Sequence, residues 1–283
     1  VDNLLANPAV QSAVLPMVLA LAWVFGFRHR PIWAGLAGLL AFGITVYFVN
    51  GMQWLPLTST RKIIISAGIF AILGVLWDWI QTWRETIQKN NPTVRFGLTV
   101  LIALIALTWV LWPLLLRSLQ WHHGVLFLFV AWQVSAQELL RHRKVTVTAT
   151  INPVALGIGV SLVCLLGASA LYGQLATPFS VVVGVWLLFY LLKKTGADLP
   201  TGLYLPAVMV PAILAAAATV YASLPLSSLA FIALIPLMAY IPLAPNLSVW
   251  ITLLLHGLLA LIPVGAVVIY LLLQASQESA YYG

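Results

Sequence analysis

Apolar runs alternate with short polar gaps along the whole chain. About 20 apolar residues suffice to cross a hydrocarbon core of roughly 30 Å, and several runs reach that length. The pattern predicts an all-α fold, a polytopic transmembrane helix bundle of about ten spans. They fall at residues 10–27, 31–49, 63–83, 96–116, 124–140, 153–175, 178–192, 203–221, 227–243 and 247–273. The fifth, seventh and ninth are short, and flanking Lys and Arg side chains snorkel to extend them. The chain of 283 residues reads as one integral membrane domain.

Composition strengthens this reading. Hydrophobic residues make up 63% of the chain and charged residues 7%, against about 25% charged in soluble domains. So few charges cannot cover a water-facing surface, whereas lipid accepts an apolar one. The net charge of +7 does not point to nucleic acid, because the basic residues sit in separate short loops. The N-terminus lacks a basic region and does not resemble a cleavable signal peptide. Cys164, the single cysteine, lies in an apolar run and reads as a small packing residue.

The basic residues also set an orientation. With ten spans, one set of loops carries Arg28, Arg30, Arg84, Lys89, Arg95, Arg141, Arg143, Lys144, Lys193 and Lys194. The other carries only Arg61, Lys62 and Arg117. The richer set is expected to be cytoplasmic, which puts both termini outside the cell (inner) membrane. Tryptophans mark the interfaces, with Trp23 and Trp33 beside the first basic loop and Trp109, Trp112 and Trp121 at the opposite end. The halves differ: residues 1–147 are charged and Trp-rich, and residues 148–283 are nearly uncharged.

Polar residues inside spans are the candidate site. Asp78 lies near the basic end of the third span, where it pairs with a loop Arg or serves as a cation or proton site. In the fifth span Gln133, Gln137 and Arg141 recur every fourth residue, so they share one helix face, with Glu138 beside them. Such a face must meet protein, because unsatisfied amides in hydrocarbon are costly. It forms interhelical hydrogen bonds, or a polar pathway together with Asp78. His256 is near the middle of the last span. A hydrogen-bonded neutral His is the default there, and single-His ligation of a haem or pigment is the alternative. No cofactor or metal is otherwise implied, and the His122–His123 pair has no ligand cluster around it.

The segment from Gly51 to Lys62 is the most distinctive hydrophilic stretch. Thr58 or Ser59 caps the third helix. Arg61 and Lys62, basic residues on the expected outer side, suggest contact with lipid phosphate or a partner protein. In the sixth span Gly157 and Ser161 let helices approach closely, predicting a central, tightly packed helix. Pro206, Pro211, Pro236, Pro242 and Pro263 punctuate the late spans as static kinks or as breaks that build an ion site.

No Walker loop, Rossmann glycine fingerprint, His-Glu-x-x-His or Gly-x-Ser-x-Gly is present. Residues 165–176 (LLGASALYGQLA) and 54–60 (WLPLTST) resemble segments of uncharacterised bacterial multi-pass membrane proteins. In size and span count the chain is also similar to the drug/metabolite transporter superfamily, though the expected outward termini depart from the cytoplasmic termini usual there. The absence of recognisable chemistry favours a non-enzymatic accessory or scaffold subunit of a larger membrane complex, with lipid and other membrane subunits as partners and no nucleic acid. The alternative is a small-molecule or ion transporter lined by Asp78, Glu138, Gln133 and Gln137. A weaker alternative is a cofactor-binding subunit using His256.

Overall fold

The computed structural model describes residues 7–27, 32–51, 55–84, 92–118, 120–142, 146–192, 199–244 and 246–282. Among them the chain is 88% helical and contains no strand. The helices are α1 (Val10–Phe27), α2 (Ile32–Asn50), α3 (Ser59–Arg84), α4 (Pro92–Leu115), α5 (Trp121–His142), α6 (Thr146–Gly167), α7 (Ala170–Leu191), α8 (Thr201–Tyr221), α9 (Leu226–Met238) and α10 (Val249–Tyr282). All except α5 and α9 are long and apolar enough to cross a membrane. Arg28, Arg30, Lys89, Arg143, Lys144, Lys193, Lys194 and Trp54 lie outside the described residues. The end of the bundle where α3, α5 and α7 finish and α4, α6 and α8 start is called the basic end below.

Several span boundaries differ from the sequence expectation, and α6 already begins at Thr146 with Pro153 inside it. The turn between α6 and α7 falls at Ala168–Ser169, not near Pro178, and Pro178 lies inside α7. Proline does not end a membrane helix whose freed backbone groups find partners in neighbouring helices. Residues 165–176 therefore cross a turn and do not form one small-residue helix. The ninth span is shorter than expected. It runs Leu226–Ala233, breaks at Leu234 and resumes over Ile235–Met238. The last helix is longer, with 34 residues.

The centre of the bundle is α8, and not α6. Every residue from Thr201 to Ala218 is buried. The helix stays continuous through Pro206 and Pro211, so these two prolines do not build a broken-helix site. It packs against α2, α3, α5, α6 and α7, joining the charged half of the chain to the uncharged half. Glycines permit this approach at its first turn. A Cβ added to Gly74 would lie 2.6 Å from Gly202 Cα, and one added to Gly35 would lie 3.0 Å from the same atom. Three backbones thus meet here, and the Val75 side chain fills the remaining space against Gly35 and Gly202. The α6–α7 pair uses the same means. A Cβ on Gly157 would overlap the Ser180 hydroxyl, and Thr177 Oγ1 donates to Ser161 Oγ at 2.9 Å.

Two prolines leave carbonyls that distant side chains occupy. Pro113, inside α4, has no N–H for the carbonyl of Trp109. Lys62 Nζ donates to that oxygen at 2.9 Å, and Tyr221 Oη donates to the next carbonyl, Val110, at 3.0 Å. Pro236 likewise leaves the Ile232 carbonyl without its helical donor. Gln133 Nε2 donates to it at 2.8 Å, and Trp132 Nε1 donates to the carbonyl of Ala233 at 2.8 Å.

Candidate functional site

The polar stripe of α5 faces protein, as its spacing requires, and each member reaches a different element. Gln133 bonds the break in α9. Gln137 Nε2 donates to Asn152 Oδ1 of α6 at 2.9 Å. Arg141 Nη2 donates to the Leu199 carbonyl at 2.8 Å and to Thr201 Oγ1 at 3.1 Å, at the start of α8. Buried polar residues are why α5, at 22 residues as long as its neighbours, is less apolar than they are. Its outward residues, including Leu128, Trp132 and Leu139, remain exposed and apolar.

Asp78 joins this group at the basic end. Its two carboxylate oxygens accept the backbone N–H groups of Thr201 at 3.0 Å and Gly202 at 2.8 Å. The N–H groups of a first helical turn have no partner within the helix, and the helix dipole favours an anion there. The residue before α8 is Pro200, which offers no side-chain cap. Asp78 therefore caps α8 from a neighbouring helix.

Glu138 is wholly buried, and Arg95 of α4 lies 3.6 Å from its Oε1. His142 Nε2 lies 3.8 Å from Oε2, one turn along α5. The Arg141 guanidinium sits 4.5 Å from the centroid of the buried Tyr204 ring, a cation–π distance. Thr201 links Arg141 to Asp78, its Oγ1 accepting from Arg141 Nη2 and its backbone N–H donating to the Asp78 carboxylate. The hydrogen bonding of the group is incomplete. Arg95 Nε and Nη2, both Glu138 oxygens, Gln137 Oε1, Arg141 Nη1, His142 Nε2 and Tyr204 Oη are buried without a hydrogen-bond partner among the described residues. In a low-dielectric interior such atoms call for water or a ligand.

The structure thus brings Asp78, Gln137, Glu138 and Arg141 into one group and adds Arg95, His142, Tyr204 and Asn152. Gln133 is separate, occupied by α9. Arg95 was visible in the sequence only as one of the loop cations, and Tyr204 as one aromatic in an apolar run. Nothing in the sequence linked either to Glu138.

The remaining candidates lie elsewhere. Lys62 points inward and is nearly buried, bonded to α4 with its ammonium 5.9 Å from the Trp109 ring centroid. Arg61 Nη1 donates to the Pro56 carbonyl at 2.6 Å. Thr58 provides the cap of α3, its Oγ1 accepting from Arg61 N at 3.4 Å. His256 is buried in α10, and its Nδ1 pairs with the Thr252 carbonyl of the same helix at 3.0 Å. His123 is buried, with Nδ1 accepting from Gln120 N at 3.2 Å. Among the described residues no group of three potential metal ligands exists. Comparison with family models, with characterised proteins and with solved structures gives no match.

Proposed function

We propose that this chain is a multi-pass carrier of the cell membrane, with the buried charge cluster at its basic end as the site that binds a small polar solute or a proton. One observation carries the reading. Two carboxylates, two guanidinium groups, a histidine and a tyrosine gather between the helices at the basic end, and many of their buried polar atoms have no hydrogen-bond partner among the described residues. Ionisable residues inside a membrane are expensive, and they commonly mark ion pathways and proton relays. The break in α9 beside α5 is of the kind that builds solute sites in transporters. In this reading the basic end faces the cytoplasm and both termini lie outside.

The test is reconstitution into liposomes that enclose a pH-sensitive dye, with an imposed pH gradient and a panel of amino acids, sugars and organic acids outside. The expected result is solute-dependent proton movement in the native protein and none in Glu138→Gln. Rates equal to protein-free liposomes for every solute would overturn the reading.

The accessory-subunit reading has its own support in α10. Its 34 residues extend about 51 Å at 1.5 Å per residue, well beyond a hydrocarbon core of roughly 30 Å. Leu254, Leu258, Leu261, Ile262, Ile269, Leu272 and Leu273 are exposed along it. Native mass spectrometry from mild detergent distinguishes the readings. Fixed stoichiometry with other subunits favours the accessory role, and a lone monomer or homodimer removes it.

A further inference from the structure

We infer that the pocket between α3, α4 and α8 holds the first methylenes of one acyl chain of an anionic phospholipid from the leaflet at the basic end, with Arg95 taking its phosphate. The pocket has a volume of about 110 Å³. Leu73 and Trp77 of α3, Leu98 and Ile102 of α4, and Leu205 of α8 form most of its wall. Leu73 and Leu98 are also exposed on the outer surface of the bundle. The mouth therefore opens sideways, toward lipid.

The axis of the pocket matches a lipid. Arg95 lies in the first turn of α4, at the basic end of the bundle. Ile102 lies seven residues further along, about 10 Å deeper at 1.5 Å per residue. Leu73 is one turn deeper than Trp77 on α3. A cation thus stands at the basic end and an apolar slot runs inward from it.

Charge complementarity selects an anionic headgroup. Arg95 retains 19% exposure and lines the pocket, while its inner edge faces Glu138 at 3.6 Å without a hydrogen bond. Arg95 Nε and Nη2 are buried, so the phosphate contact falls to the outer edge of the guanidinium, as a charge-assisted hydrogen bond. A zwitterionic headgroup would bring its own ammonium against Arg95. Arg95 is shared with the proposed carrier site, and counting retained lipid reads its phosphate contact apart from transport.

The test is native mass spectrometry of the full chain released from nanodiscs of equal phosphatidylglycerol and phosphatidylcholine, counting retained lipid. The native protein is expected to keep one phosphatidylglycerol in preference to phosphatidylcholine. Arg95→Gln is expected to lower that retention about fivefold, the factor one basic residue contributes at an anionic membrane surface. Arg95→Lys should keep most of it. Ile102→Trp, which fills the slot and keeps the charge, should lose it too. Arg117→Gln, with the cation removed at the opposite end, should match the native protein and report correct folding. No preference for phosphatidylglycerol in the native protein, or equal retention in Arg95→Gln and Ile102→Trp, would overturn the inference.

Discussion

The Asp78 carboxylate closes the first turn of α8 by accepting the N–H groups of Thr201 and Gly202. The cap lies in the sequence more than a hundred residues from the helix that it caps. It fixes the end of the most buried helix in the bundle and orients Thr201, whose side chain receives Arg141.

Asp78→Asn should retain one acceptor and lose the charge, weakening the α3–α8 junction by about 1 kcal/mol, the usual size of a cap and dipole term. Asp78→Ala should lose more. Thermal unfolding in detergent measures both, and an unchanged midpoint for Asp78→Ala would show that the cap contributes nothing.

The glycine junction predicts a steric result. Gly74→Ala places a methyl group 2.6 Å from both Gly202 Cα and the Thr201 carbonyl oxygen. Backbone cannot retreat as a flexible side chain can, so a loss of about 1–3 kcal/mol is expected, typical of overpacking. Gly43→Ala meets open space and should be neutral or stabilising. The difference between the two midpoints is the readout.

The proline carbonyls allow a double-mutant cycle. Lys62→Met should cost about 1–2 kcal/mol by orphaning the Trp109 carbonyl. Pro113→Ala restores a backbone donor to that carbonyl, so Lys62→Met should cost less in a Pro113→Ala background. The same coupling is expected between Gln133→Leu and Pro236→Ala. Additive effects at both pairs would show that the side chains do not stand in for the missing donors.

Topology can be read by labelling. Cys164 is fully buried and should resist maleimide in the native protein. In a Cys164→Ala background, Arg117→Cys should react with an impermeant maleimide on intact cells. Leu192→Cys, exposed at the basic end, should react only after lysis. The reverse pattern would invert the orientation.

Much of this architecture was legible in the sequence because lipid enforces a simple code. Apolar length gave α1 to α4 and α8 within a few residues, and four-residue spacing showed that Gln133, Gln137 and Arg141 turn inward. What remained hidden depends on contacts between helices. Gly35, Gly74 and Gly202 are on three helices and match no local motif, yet only together do they let α8 seat. Lys62 reads as a surface cation until Pro113, in another helix, supplies a carbonyl for it. Pro178 carries a helix-start signal, which membrane burial overrides. The partners of Glu138 come from α4 and from its own helix, and only the first needed the structure to be found.

The burial of α8 has a consequence for synthesis of the chain. Residues 1–147 include α2, α3 and α5, but the surface around which they close comes later. Until Thr201 onward has left the ribosome, Gly35 and Gly74 line an empty groove and the Asp78 carboxylate has no helix end to meet. The packing of the first half is thus completed only when a segment made well after it slides into its midst.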